Sequence, residues 1–331
     1  MTQYVLLFSG LALGLLLGMH DSANAFGTAV ATRVVRFRTS ILINSILILM
    51  GSLFCSQAIL DNLSHLALDT GIRSPGEPSI YAAIVILCTC VSIALMRLFK
   101  LPFSLNQALL GAMLGWGCFY RSSGFGDAVL SHLHFPLAWI LTPIMATALS
   151  WLLIRLIKPI LSEKMTSIQV YDWTIRIGYL VSGALCAFSI GQNSAAGIGA
   201  LFYDPDSNDL FANAWIVSVF GGLSIALGVL LFSRRTTVSM GTSIVKVSQM
   251  DCFLLIGAAS IAVLLVGNLT AVPVSTTQAL IGGVFGAGLA GNAKRISYKA
   301  LIKVIISWLG APILAGILSF AAAWLTGAVL R

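Results

Sequence analysis

Ten apolar runs, most of them near twenty residues long, follow one another from end to end of this 331-residue chain. They occupy residues 4–31, 41–60, 79–99, 102–120, 135–157, 173–202, 211–232, 252–270, 272–291 and 301–330. About twenty apolar residues in a helix cross a bilayer core, and the helix satisfies its own backbone where no water can. The chain therefore reads as an all-α polytopic membrane protein. Its composition agrees, with 58% hydrophobic and 9% charged residues, against roughly a quarter charged in a soluble domain.

The basic residues fix an orientation. Cytoplasmic loops hold an excess of Lys and Arg, and here Arg33, Arg36 and Arg38 follow the first run and Arg97 and Lys100 the third. Arg155, Lys158, Lys164 and Arg176 follow the fifth, Arg234, Arg235 and Lys246 the seventh, and Lys294, Arg295, Lys299 and Lys303 the ninth. Only Arg73, Arg121 and Arg331 fall on the other side. The N-terminus is thus expected outside the cytoplasmic (inner) membrane. The net charge of +8 serves orientation, not nucleic acid, because no long basic cluster with interleaved aromatics exists. Six cysteines without metal-ligand or disulfide spacing read as small packing residues. Met1 to Gln3 offer no positive charge ahead of the first run, so that run reads as a retained helix.

The two halves resemble each other at three anchors. Gly18-Met-His-Asp21 corresponds to Gly191-Gln-Asn-Ser194, an offset of 173; QALLGAMLG at Gln107 corresponds to QALIGGVFG at Gln278, an offset of 171. The third is W-x3-P-I-x-A-x2-L-S at Trp139 and again at Trp308, an offset of 169. Five segments per half, 1–160 and 161–331, make the second half enter from the opposite face. Inverted repeats with Gly- or Pro-interrupted segments mark secondary transporters, whose solute site lies near mid-membrane between the halves. The expected architecture is two inverted five-segment repeats with broken or re-entrant helices meeting there.

Asp21 is the carboxylate left inside an apolar run, and an ionisable group at that depth is costly and therefore a functional candidate. Asn24, three residues on, shares its helical face. His20 is adjacent but points elsewhere. In the second half the place of Asp21 falls to Asn193 or Ser194. LPFSLNQALLG from Leu101 and VPVSTTQALIGG from Val272 each place proline and a polar cluster, Ser104 or Ser275-Thr276-Thr277, before a short apolar helix. This describes a helix start inside the membrane, where hydroxyls cap free backbone donors and the terminus attracts anions. Gly111 and Gly115, like Gly282 and Gly286, allow close helix packing.

An anion at this site would meet Asp21 with no Lys or Arg in the polar segments. Two unit charges about 5 Å apart repel by roughly 3 kcal/mol at an effective dielectric near 20, more than a helix terminus offsets. A co-bound cation is required. It is either Na+ on the oxygens of Asp21 and Asn24, with His20 and Asn193 as further coupling candidates, or a proton on Asp21. No other cofactor is indicated.

GMHDSANA, Gly18 to Ala25, and PVSTTQAL, Pro273 to Leu280, resemble the two signature elements of the inorganic phosphate transporter (PiT) family, as a short member without the large central loop. The resemblance implies phosphate uptake driven by Na+ or H+, with Asp21, Asn24 and Ser275-Thr276-Thr277 lining one site. The second-half aspartate is missing, and Gln278 stands where the family has histidine; members with eroded motifs resemble carriers of sulfate or other tetrahedral oxyanions. A homodimer is compatible with the sequence without being specified by it. A membrane-embedded enzyme using His20 and Asp21 as an acid/base pair is the reading from a different class, and a duplicated half has no evident use in it.

Overall fold

The computed structural model describes residues 2–54, 57–73, 80–99, 103–120, 134–205, 210–238, 247–291 and 298–329. Its first half contains α1 (Thr2–Ala31), α2 (Phe37–Leu53), α3 (Gln57–Asp69), α4 (Ile80–Leu98), α5 (Leu105–Tyr120) and α6 (His134–Lys164). The second contains α7 (Ile168–Gly199), α8 (Ala214–Phe232), α9 (Gln249–Thr270), α10 (Thr276–Gly291) and α11 (Tyr298–Val329). No strand occurs among the described residues. Seven helices, α1, α4, α6, α7, α8, α9 and α11, are long and apolar enough to cross a membrane. Exposed apolar side chains such as Ile140 and Ile144 on α6 and Ile313 and Ile317 on α11 form the perimeter, as expected of a surface that faces lipid. Of the six cysteines, Cys55 lies outside the described residues and the other five are unpaired.

The second apolar run is not one helix. It breaks between α2 and α3, which lie at 75° to each other. The cause is visible in QAILDNLSHLALD: Asp61, Asn62, His65 and Asp69 interrupt the apolar pattern, so α3 has a polar side and buries Leu60, Leu63, Leu66 and Ala67 on the other. Asn62 donates through Nδ2 to the Ala271 carbonyl at 2.9 Å, tying α3 to the turn between α9 and α10. Ala271 itself adopts a left-handed φ of 52°, which ends α9 sharply.

α5 and α10, each 16 residues, are shorter than a span and begin at the two predicted breaks. Ser104 Oγ accepts from the Gln107 amide at 3.4 Å and Ser275 Oγ from the Gln278 amide at 3.2 Å, so each serine caps its helix. Each short helix is held by the long helix of the other half. Gly111 and Gly115 of α5 lie against the backbone of Pro312 and Gly316 in α11, while Gly282 and Gly286 of α10 lie against Pro143 and Thr147 in α6. Thr147 and Ser150 donate to the carbonyls of Gly282 and Gly283 at 2.9 and 2.8 Å. The same exchange recurs elsewhere: Gly18 of α1 lies on Ile225 of α8, and Gly191 of α7 on Ile48 of α2. These pairings are unchanged when the two halves swap roles.

Candidate functional site

The carboxylate of Asp21 meets the start of α10. Among the described residues its hydrogen-bond partners are His20, Asn24 and Thr276. His20 Nδ1 lies 3.1 Å from Oδ1, Asn24 Nδ2 donates to Oδ1 at 3.2 Å, and the Thr276 hydroxyl donates to Oδ2 at 3.4 Å. Asn24 Nδ2 also donates to Thr276 Oγ1 at 3.2 Å and Thr277 Oγ1 at 3.3 Å. Three oxygens from two halves of the chain thus converge on one amide group that has only two hydrogens to give. None of these partners carries a permanent positive charge. Asn24, Thr276 and Thr277 are buried, whereas the side chains of Asp21 and His20 keep 15% of their surface exposed.

One-turn spacing on α1 explains the pairing of Asp21 with Asn24, and it was legible in the sequence. That this face meets Thr276 and Thr277 was expected only through the idea of a site shared between halves. His20, expected to point elsewhere, instead turns its ring so that Nδ1 reaches Asp21 Oδ1, while the ring face lies against Phe103, with centroids 4.3 Å apart, just ahead of the α5 cap. Phe103 was not among the candidates, and its apolar side chain gave no signal.

The second half departs from the first in an ordered way. Asn193 is buried and spends both polar atoms on one residue: Nδ2 donates to the Val274 carbonyl at 2.7 Å and Oδ1 accepts from the Val274 amide at 2.9 Å. Asn106 Nδ2 donates to the same carbonyl at 3.1 Å. The non-helical stretch before α10 is therefore pinned from α7 and from α5. Ser194, at the offset of 173 from Asp21, is buried, and Gly197 takes the place of Asn24; a side chain added at Gly197 would touch Asn106 Oδ1. In the first half asparagine comes from the long helix and threonine from the short one. In the second, glycine comes from the long helix and asparagine from the short one. The clamp has a measurable consequence. Asn193→Ala removes two buried hydrogen bonds and strands the Val274 amide, so about 2–3 kcal/mol of stability is lost, read as a lower melting temperature in detergent.

Three buried side-chain oxygens in the first turns of the short helices have no donor: Asn106 Oδ1, Gln107 Oε1 and Gln278 Oε1. Of these, the sequence marks only Gln278, as a departure from a motif. No group of three His, Cys, Asp or Glu residues suited to a metal ion occurs among the described residues. Around Asp21 the oxygens are its own carboxylate and the Thr276 and Thr277 hydroxyls, beside the Asn24 amide nitrogen and the His20 imidazole; such oxygens suit hard cations and not thiophilic ones.

The profile of the phosphate transporter family matches residues 17–177 and 162–319. A putative phosphate permease of Methanocaldococcus jannaschii is 28% identical over 311 residues, which are 92% of this chain and 91% of that one. A probable low-affinity inorganic phosphate transporter of Rhizobium meliloti is 27% identical, with 88% and 86% covered. A sulfate permease of Bacillus subtilis is 23% identical, with 92% and 82% covered. Among solved structures, a sodium-dependent phosphate transporter superposes with a TM-score of 0.79 at 17% identity over 99% of both chains, a likeness of fold.

Proposed function

This chain belongs to the phosphate transporter family, and from that premise we propose that it is a secondary active transporter carrying inorganic phosphate together with one cation, Na+ or H+. The observation that carries this reading is the convergence of Asp21, Thr276 and Thr277 on the amide of Asn24. Oxygens gathered round a polarised N–H2 group form a cage that Na+ can take over, and a proton on Asp21 serves the same charge balance. The anion would sit at the α10 N-terminus, where free backbone donors and the Ser275-Thr276-Thr277 hydroxyls favour negative charge. Ser104 plays the matching part at α5. With Ser194 and Gly197 in place of a second carboxylate and amide, the corresponding positions of the second half offer no charged cation ligand.

The swapped packing of α5 on α11 and α10 on α6 supports two inverted repeats divided near residues 160 and 161. The charge bias of the connections supports an N-terminus outside the inner membrane. The relatives are named as permeases and transporters, not enzymes.

Sulfate is the second reading, favoured by the relative named for it. Hydrogen-bond chemistry argues for phosphate. Near neutral pH phosphate still carries a proton to donate, whereas sulfate only accepts. The first turns of the two short helices hold acceptors without a donor, the oxygens of Asn106, Gln107 and Gln278. An acceptor-only anion beside one of these oxygens leaves it unpaired, at about 1–3 kcal/mol.

Purified protein in liposomes, given radiolabelled phosphate or sulfate with sodium and proton gradients imposed separately, tests both points. Phosphate accumulates above its outside concentration under one gradient and only equilibrates without it. A tenfold excess of sulfate leaves the phosphate rate within about twofold. Passive equilibration under every condition would make the protein a channel, and equal potency of sulfate would transfer the assignment to that anion.

A further inference from the structure

α1 and α4 leave a groove between them, on the perimeter of the molecule and away from Asp21. Its volume is about 730 Å³, and its walls are almost wholly apolar: Phe8, Ala12, Leu16 and Met19 on α1, Ala83 and Leu87 on α4. Phe232 of α8 also lines it. Because Gly18 packs on Val229, Phe232, one turn further along α8, lies at the Met19 end. From Val5 to Met19 the groove follows fifteen residues of α1, about 21 Å at the rise of a helix, somewhat more than half the ~30 Å of a hydrocarbon core.

The charge around it is one-sided. Arg97 lies two turns past Cys90 on the α4 face that lines the groove; its side chain is exposed, and Nη1 donates to Met19 Sδ at 3.4 Å. Arg234 and Arg235, both exposed, follow Phe232 within three residues. At the other end, the preceding α1 residues Gln3 and Tyr4 carry no charge.

We infer that this groove binds an anionic phospholipid from the leaflet on the Arg97 side, with an acyl chain along α1 and α4 and the phosphate on the Arg97 guanidinium. The apolar walls require hydrocarbon, and the arginines at a single end select the sign of the headgroup. Guanidinium is suited to phosphate oxygens through its paired donors. Met19 precedes Asp21 by two residues, so the occupant braces the helix that carries the carboxylate.

Native mass spectrometry of the full-length chain, released from detergent with equimolar phosphatidylglycerol and phosphatidylcholine, tests this independently of transport. The chain retains phosphatidylglycerol about fivefold over phosphatidylcholine, the ratio expected for one arginine near the surface. Arg97→Gln, on an exposed position, brings the ratio near one, and Ala12→Trp, which fills the groove, lowers retention of both lipids. Equal retention of the two lipids by the native chain, or an unchanged ratio in Arg97→Gln, overturns the site. Full retention by Ala12→Trp overturns it too, as does lipid loss accompanying a dimer that covers the groove.

Discussion

Asp21→Asn abolishes gradient-driven accumulation of phosphate while expression and melting temperature stay near native. The substitution keeps the shape of the side chain and one acceptor oxygen. The bonds it disturbs are long, 3.1 Å from His20, 3.2 Å from Asn24 and 3.4 Å from Thr276, and an amide keeps part of each, so the cost to folding is about 1 kcal/mol. What it removes is the charge. Even at about 5 Å a cation gains roughly 3 kcal/mol from a carboxylate at an effective dielectric near 20, and in direct contact more, so its loss lowers cation affinity by at least about two orders of magnitude. Uptake in proteoliposomes under separate sodium and proton gradients measures this. Native accumulation by the variant would remove Asp21 from the coupling step.

Gly282→Val and Gly111→Val give the opposite phenotype, in which little folded protein remains to assay. The added Cβ would run into the backbone of Pro143 in one case and of Pro312 in the other. Backbone cannot rotate out of the way as a side chain does, so the helices must separate. At Gly282 the separation also breaks the bonds from Thr147 and Ser150 to the Gly282 and Gly283 carbonyls. Each substitution should cost about 3 kcal/mol or more, a large fraction of a typical total stability of about 5–15 kcal/mol. Gly291→Ala is the control, since nothing lies within 4 Å of an added Cβ there. Size-exclusion profiles and melting curves distinguish the outcomes; a Gly282→Val variant that melts with the native protein sinks the close-packing account.

The two substitutions differ in how far the sequence announced them. Gly282 and Gly286 stood in a GxxxG pattern four residues apart, which told that a backbone would come close but not which one. The partner, α6 for α10 and α11 for α5, emerged only from the packed helices. The second apolar run shows the limit in the other direction. Its residues 41–60 are apolar enough to suggest one helix, and the polar residues of α3 that bend the chain begin where that run ends.

Hydropathy, charge bias and the position of Asp21 depend on each residue's own transfer between water and lipid, and a linear pattern carries that information in full. The membrane class, the starts of the two short helices and the Asp21–Asn24 face were therefore determined by the sequence alone, whereas the break of the second run into α2 and α3 was not. Which polar atom meets which is different in kind. Asn24 meets Thr276 across 252 positions of chain, and Asn193 turns to the Val274 backbone while Asn106 occupies the room left by Gly197. Such pairings depend on how long helices pack, where a one-residue shift turns a side chain by about 100° around the helix, and only the tertiary structure decides them.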